Sequence, residues 1–316
     1  MHSLNTELPE MVRAKANGIG DAGTRWLTDL PELIADLEHE WSIEVGPANQ
    51  EATEAFVAEV RTADGRGAVL KLTIPMPWRT GQLSAIERAE GRGYVRLLKS
   101  DRDRHAMLLE RLGPTLSDSG LEPDQLITTL CDTLREAWTL PLEADLTTGS
   151  EKALHMAEWV PRVWRELDRP CPAAVVDRFL RFADSRARAH RDDVAVHLHG
   201  DPHPGNALRV PEPRPGAASG FVLIDPDGLA AEPAYDLGVI LAGWDNRSAG
   251  RQYLLGGHDA LPVARKLCAL LADGSGADPR AVWEWGYLTR VATGVFALQH
   301  RAAWGHDKLA VAARLL

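Results

Sequence analysis

The stretch that decides the fold is His199-Gly-Asp-Pro-His-Pro-Gly-Asn206. A Gly/Pro/Ala-rich insertion separates it from the apolar run Phe221-Val-Leu-Ile224, which ends at Asp225. The residues just before the first segment are predicted to form a strand, and the apolar run is predicted to form a second one. A hairpin that pairs these two regions would bring Asp201, Asn206 and Asp225 together. Phosphoryl transfer needs a carboxylate that orients a hydroxyl and accepts its proton, beside hard oxygen ligands for Mg²⁺. The pattern therefore predicts Asp201 as the catalytic residue, with Asn206 and Asp225 as magnesium ligands.

The same residues carry a resemblance to a known family. Four of them match the kinase-like catalytic loop and metal-binding aspartate of the aminoglycoside phosphotransferases: His199, Asp201, Asn206 and Asp225. The segment Ile224-Asp-Pro-x-Gly-Leu229 resembles the branch that contains streptomycin 6-phosphotransferases and hydroxyurea phosphotransferases. The resemblance runs in pieces over residues 68–236 and is strongest over 199–244. It implies a two-lobed, protein-kinase-like fold and an enzyme that uses ATP or GTP with Mg²⁺ to phosphorylate a small antibiotic.

The resemblance also implies roles for residues around the motif. His199 corresponds to the histidine that packs against the catalytic loop and supports it by a backbone hydrogen bond. Lys71, in the strand Ala68-Val-Leu-Lys-Leu72, matches the lysine that pairs with nucleotide phosphates. Asp227 and Glu232 lie near enough in sequence to contact a cationic acceptor, although turn and surface roles are more common for such acids.

The remaining nucleotide-binding positions depart from the family pattern. Pro77 and Trp78 stand roughly where the family supplies the acid that holds the lysine, and Glu87, ahead of Glu90, is the favoured replacement. The phosphate-covering loop 46–53 carries one glycine, so the Thr53 hydroxyl is a candidate phosphate donor. The backbone of Glu110 to Leu112 is expected to meet the adenine edge.

Length, charge and cysteine content narrow the class of protein. The chain has 316 residues, 45% of them hydrophobic, which is enough for two lobes. Its net charge is 35 − 45 = −10, which argues against nucleic acid as a partner. Three widely spaced cysteines encode neither a disulfide framework nor a zinc cluster. With no signal peptide and no membrane-spanning run, we expect a soluble cytoplasmic protein that acts on a small hydroxyl-bearing molecule.

Hydrophobic periodicity predicts an α+β chain whose first part is rich in strands and whose second part is mainly helical. Residues 1–112 are predicted to form a small nucleotide-binding lobe with a leading helix, an antiparallel sheet and one helix, and 113–316 a mainly helical lobe with the catalytic loop and acceptor site. Ala63-Asp-Gly-Arg66 is a hairpin signal. The predicted strands are 56–61, 67–72, 94–98, 105–110, 196–199 and 221–224, and the predicted helices are 24–41, 81–90, 124–140, 152–167, 173–190, 234–244 and 280–301.

Two other kinds of protein compete with the kinase. Alternating histidines with an acid on one loop are typical of zinc hydrolases, and the chain offers His197, His199, Asp201 and His203. That interpretation leaves Asn206 and Lys71 unexplained. A pseudokinase-type binding protein would account for the irregular phosphate loop, but not for the intact set of acid and metal ligands. Among kinase acceptors, a streptomycin-like aminoglycoside ranks first, and hydroxyurea or another small molecule second.

Overall fold

The computed structural model describes residues 8–76, 81–243, 260–299 and 301–316. The predictions that concern Pro77, Trp78 and Trp244 fall outside these residues. The chain divides into two compact units, Met1–Gly113 and Pro114–Leu316. Their assignment to nucleotide binding and to acceptor binding stays a prediction. In the part of the chain that is described, no helix has the length and apolar character needed to cross a membrane.

The first unit is built on a five-stranded antiparallel sheet. Its elements are α1 (Glu10–Gly18), α2 (Asp21–Trp41), β1 (Ile43–Ala48), β2 (Ala55–Thr62), β3 (Gly67–Thr73), α3 (Gly81–Ala89), β4 (Leu97–Asp101) and β5 (Ala106–Glu110). The strand order is β1-β2-β3-β5-β4. The predicted hairpin forms between β2 and β3, and Gly65 adopts the left-handed φ of 80° in its turn. Trp26, Leu30, Ile34 and Leu37 recur at helical spacing and bury one face of α2 in the core that includes the sheet.

Two parts of this unit differ from the sequence prediction. The strand expected at 94–98 is β4, which begins at Leu97, where pairing with Leu109 starts. Helix α1 and strand β1 were not predicted, and β1 takes up residues 46–48 of the expected phosphate-covering loop. A Cβ on Gly46 would lie 2.9 Å from the carbonyl oxygen of Glu59. Gly46 therefore permits close strand packing and is not evidence of a phosphate site.

The second unit is mainly helical. Its helices are α4 (Pro123–Ala137), α5 (Gly149–Glu166), α6 (Ala173–Ala189), α7 (Ala234–Gly243), α8 (Ala260–Ser275), α9 (Pro279–Ala297) and α10 (Ala302–Arg314). Its strands form two antiparallel pairs, β6 (Val196–Leu198) with β9 (Leu229–Ala231), and β7 (Ala207–Arg209) with β8 (Phe221–Leu223). The predicted α+β class is thereby observed, with the sheet in the first unit and most helices in the second.

Helix α7 is buried along nearly its whole length. Its residues from Ala234 to Ala242 are all buried, as expected for a helix that is apolar on every side. It packs closely against α9, because a Cβ on Gly238 would lie 2.6 Å from Cβ of Trp285. The glycine therefore sets the approach of the two helices.

The C-terminal helix predicted over 280–301 ends earlier in the structure. Helix α9 ends at Ala297, and a separate helix, α10, begins at Ala302. A Cβ on Gly305 would meet the backbone nitrogen of Leu298 at 2.7 Å, so α10 packs closely against the end of α9. Helix α10 was not predicted.

Candidate active site

The loop after β6 is held against the segment that follows β8. The carbonyl of His199 accepts a hydrogen bond from the N–H of Asp227 at 2.8 Å. Gly200 has a φ of 90°, and a Cβ there would lie 2.9 Å from Cβ of Asp227. Only glycine combines this backbone conformation with so close an approach. The motif's glycine thus allows the two segments to lie side by side.

The His199 side chain supports both segments at once. Its Nδ1 accepts a hydrogen bond from the backbone N–H of Asp201 at 3.1 Å, so its Nε2 carries the proton. That Nε2 lies 2.7 Å from the carbonyl oxygen of Ile224, the residue before Asp225. This is the kind of backbone contact expected from the resemblance. Because both ring nitrogens contact backbone atoms, His199 is poorly placed to serve as a zinc ligand.

Asn206 connects the two ends of the candidate site. Its side-chain Nδ2 donates a hydrogen bond to the carbonyl oxygen of Asp201 at 3.0 Å. Its own carbonyl accepts from the N–H of Ile224 at 2.9 Å, next to Asp225. The structure thus brings Asp201, Asn206 and Asp225 together in two hydrogen-bonded loops, the one after β6 and the one after β8, called the loop pair below. This is the arrangement that the hairpin argument required.

The two acids of this loop pair differ in backbone conformation and exposure. Asp225 has a φ of 60°, the left-handed region that favours glycine and, among other residues, Asn and Asp. A non-glycine residue held in that region at the end of a strand is typical of functional sites. The Asp201 carboxylate is about half exposed, at 52%, and its Oδ2 lies 3.8 Å from Nε2 of His203. It is therefore accessible to a molecule from solvent.

A buried carboxylate that sequence analysis missed holds the backbone of the loop after β6. Asp236, in the first turn of α7, accepts hydrogen bonds from the backbone N–H of His199 at 3.0 Å and of Gly200 at 2.9 Å. The indole Nε1 of Trp138 donates to the same carboxylate at 2.9 Å. Burial raises the pKa of Asp236, while His199, the Trp138 indole and the two backbone N–H groups oppose that rise. One acid inside the apolar run Ala234–Gly243 was the available sequence signal.

The two acids predicted as acceptor contacts occupy different environments. Asp227 is exposed beside Gly200 in the loop pair. Glu232 accepts hydrogen bonds from Trp285 Nε1 at 2.9 Å and from Arg186 Nη1 at 3.1 Å. Glu232 is therefore engaged in an internal network, whereas contact of the exposed Asp227 with an acceptor stays a prediction.

In the first unit, Lys71 is buried on β3, opposite Val57 and Met107 on the neighbouring strands. The carboxylate of Glu87 forms an ion pair with Arg102, and both side chains are about half exposed. The favoured partner for Lys71 is thus bound to another cation in this structure. Pairing of Glu87 with Lys71 stays a prediction.

The predicted loop and hinge positions of the first unit are also defined. Thr53 is exposed in the turn between β1 and β2. Glu110 donates its backbone N–H to the carbonyl of Arg96 at 3.0 Å and accepts the Arg96 N–H through Oε1 at 2.8 Å. Its N–H is therefore used within the unit, and contact of the backbone of Glu110 to Leu112 with adenine stays a prediction.

Comparison with known proteins identifies the family. Residues 41–300 match aminoglycoside/hydroxyurea antibiotic resistance kinases. The chain is 30% identical over 284 residues to a streptomycin 6-kinase of Streptomyces glaucescens, covering 89% of this chain and 87% of that protein. It is also 30% identical over 244 residues to a hydroxyurea phosphotransferase of Kitasatospora aureofaciens, covering 73% and 66% of the two chains.

The fold points to the same class. The AMP-bound spectinomycin phosphotransferase superimposes with a TM-score of 0.55 at 15% identity, covering 90% of this chain and 98% of that one. The architecture is that of the protein-kinase-like small-molecule phosphotransferases. The chain belongs to the aminoglycoside/hydroxyurea antibiotic resistance kinase family. The predicted family, fold class and phosphotransferase activity are thereby confirmed.

Proposed function

We propose that this protein transfers the terminal phosphoryl group of ATP or GTP to a hydroxyl of a streptomycin-like aminoglycoside. The hydrogen-bonded pairing of the loops that carry Asp201, Asn206 and Asp225 is the observation that supports this function most directly. The streptomycin 6-kinase relative supports the choice of acceptor, and the AMP in the spectinomycin phosphotransferase complex supports an adenine nucleotide. The hydroxyurea phosphotransferase relative makes hydroxyurea the second candidate.

In the proposed mechanism, Asp201 orients the acceptor hydroxyl and accepts its proton. The acceptor oxygen forms a bond to the terminal phosphorus while the bond between that phosphorus and the bridging oxygen breaks, and the nucleoside diphosphate leaves. Asp227, exposed beside Gly200, is placed to contact a cationic group of the acceptor. Lys71 pairs with the nucleotide phosphates, and Leu112 contacts the base.

Asn206 and Asp225 suit a magnesium ion by their chemistry. The bond to the Asp201 carbonyl uses the amide nitrogen of Asn206, which directs the amide oxygen to the other side of that side chain. An amide oxygen and a carboxylate are hard ligands of the kind that Mg²⁺ takes. When bound, the ion would offset the negative charge of the nucleotide phosphates.

Cytoplasmic localisation is part of the same proposal. The three cysteines, Cys131, Cys171 and Cys268, are all free and buried. Free thiols are consistent with a reducing compartment.

The test is a product assay with purified protein. Streptomycin, other aminoglycosides and hydroxyurea are incubated with ATP or GTP and Mg²⁺, and phosphorylated products are measured by mass spectrometry. We expect a mass gain of one phosphoryl group on streptomycin. In Asp201→Ala, turnover should fall by about 10²- to 10⁴-fold, while nucleotide binding is retained.

The control is Asp184→Ala, which removes an exposed acid of α6 paired with Arg188. It should leave turnover unchanged. Near-normal turnover in Asp201→Ala would refute the role of Asp201. Nucleotide binding without transfer to any acceptor would favour the binding-protein alternative, and activity restored by zinc but not by magnesium after chelation would favour the hydrolase.

A further inference from the structure

A buried group of charges lies under the start of helix α7. Arg186 of α6 and Glu284 of α9 are 6% and 2% exposed, and Arg186 Nε lies 2.6 Å from Glu284 Oε2. Arg186 Nη1 donates to Glu232 Oε1 at 3.1 Å. Glu284 Oε1 also accepts a hydrogen bond from Nε of Arg280 at 2.8 Å, but the Arg280 side chain is 73% exposed. The buried charges are thus those of Arg186 and Glu284, with Glu232 partly buried beside them. One guanidinium therefore bridges two carboxylates from different parts of the chain.

Burying charged side chains is unfavourable in free energy, so their presence here needs a physical explanation. Moving charges out of water carries a desolvation penalty that their mutual attraction offsets only when their geometry is well defined. Arginine suits this position because its guanidinium reaches two acids at once. Nη1 donates a hydrogen bond to Glu232, and Nε lies within ion-pair distance of Glu284 without hydrogen-bond geometry. The best-attested use of buried charges is to fix the position of the elements that carry them.

Here the fixed element is the first turn of α7. Glu232 lies between β9 and α7, and its carbonyl accepts the N–H of Tyr235 at 3.0 Å. The Tyr235 ring packs edge-on against Trp285 with centroids 4.9 Å apart, and the Trp285 indole donates to Glu232. The next residue after Tyr235 is Asp236, whose carboxylate binds the backbone of the catalytic loop.

We propose that Arg186 is a positioning residue for phosphoryl transfer: by bridging Glu232 and Glu284 it sets the first turn of α7, and thereby the Asp236 carboxylate that orients the catalytic loop. This inference rests on the proposed function for its kinetic consequence. Its structural consequence, a fixed Asp236, does not depend on the identity of the acceptor.

The indole N–H of Trp138 provides a direct reporter, because it donates to Asp236. Its resonance in a ¹H–¹⁵N correlation spectrum is assigned with Trp138→Phe. Arg186→Lys keeps the positive charge but removes the guanidinium. We expect a shifted Trp138 indole resonance and a kcat lowered by about 10- to 100-fold, as for a small misplacement of catalytic groups. The KM for nucleotide should change by less than about threefold, since Arg186 contacts no nucleotide-binding candidate.

The matched control is Arg188→Lys, on the same helix. Arg188 pairs with Asp184 in an exposed ion pair, with side chains 79% and 59% exposed. It should change neither the Trp138 resonance nor kcat. If Arg186→Lys does not fold, the double variant Arg186→Met with Glu284→Gln removes one charge of each sign and is measured in the same way.

Three results would overturn the role of Arg186, and a fourth would overturn only the proposed function. A folded Arg186 variant with an unchanged Trp138 resonance, or with a shifted resonance and wild-type kcat, overturns the proposal. A lowered kcat without a change at Trp138 also overturns it, because Asp236 would then not be the link. If the wild-type protein phosphorylates none of the acceptors, the proposed function fails, and the resonance comparison still decides whether Arg186 positions Asp236.

Discussion

Asn206 donates a hydrogen bond from Nδ2 to the backbone carbonyl of Asp201, at 3.0 Å. The bond joins the residue proposed to ligate the metal to the residue proposed to accept the proton. A side chain that performs both tasks makes the geometry of the two groups interdependent. Substitutions at Asn206 should therefore affect metal binding and proton transfer together.

Asn206→Asp separates these two contributions. The aspartate retains an oxygen ligand for magnesium, but it removes the N–H donor and places a carboxylate oxygen against the Asp201 carbonyl. We expect kcat to fall by at least about tenfold, because a misplaced catalytic base slows the reaction, while magnesium is still bound. Asn206→Ala removes both functions and should also raise the magnesium concentration required for half-maximal activity. Steady-state kinetics over a magnesium series would test this, and equal magnesium requirements in the two variants would contradict it.

Asp225→Asn tests the charge at the end of β8 without a change of backbone preference. Asn, like Asp, is tolerated in the left-handed region that Asp225 occupies at a φ of 60°. The variant should therefore fold normally and bind Mg²⁺–nucleotide about 10- to 100-fold more weakly, because one charged ligand is lost. Isothermal titration with a non-hydrolysable nucleotide measures this. Wild-type affinity in the presence of magnesium would rule out Asp225 as a ligand.

Asp236→Ala should destabilise the second unit as well as inactivate it. The substitution leaves three donors near His199, Gly200 and Trp138 without their acceptor. At about 1–3 kcal/mol for each unsatisfied buried group, the free energy of unfolding should fall by about 3 kcal/mol or more. Urea unfolding followed by circular dichroism provides the measurement. Asp184→Ala, at an exposed site, should stay within about 0.5 kcal/mol of wild type; a similarly small effect at Asp236 would show that the donors find other partners.

The buried thiol of Cys131 should make the folded protein less stable in alkali. Burial raises the pKa of its thiol from 9.0 to about 11. Below pH 9 the thiol is protonated in both the folded and the unfolded chain, so it has no effect on stability there. As pH rises from 9 to 11, only the unfolded chain ionises readily, and stability should fall by on the order of 2 kcal/mol.

The matched variant is Cys131→Ala. Other buried groups, including the Cys268 thiol with a pKa of about 11, titrate in the same range in both proteins. The comparison of wild type with Cys131→Ala therefore isolates one thiol. Urea unfolding at pH 8 and at pH 11 should show the smaller decrease in the variant; identical decreases in both would remove Cys131 as the cause.

Much of the fold could be predicted from local patterns. The Asp-Gly turn between β2 and β3 and the amphipathic periodicity of α2 are properties of short segments, and both appear in the structure. Strand β4 was misplaced, and the helix predicted over 280–301 ends at Ala297 in the structure. In both cases the deciding contacts come from residues outside the segment, such as Gly305 against Leu298.

For the candidate site, the sequence by itself predicted which groups come together, because Asp201, Asn206 and Asp225 lie on short loops next to strands whose pairing is predictable; their roles in the reaction stay a proposal. Only the tertiary structure decided what holds those groups. Asp236 meets Trp138 across 98 residues, and Arg186 meets Glu232 across 46. Partners so distant in sequence are selected by helix packing and by the need to satisfy buried polar groups, which no local pattern records.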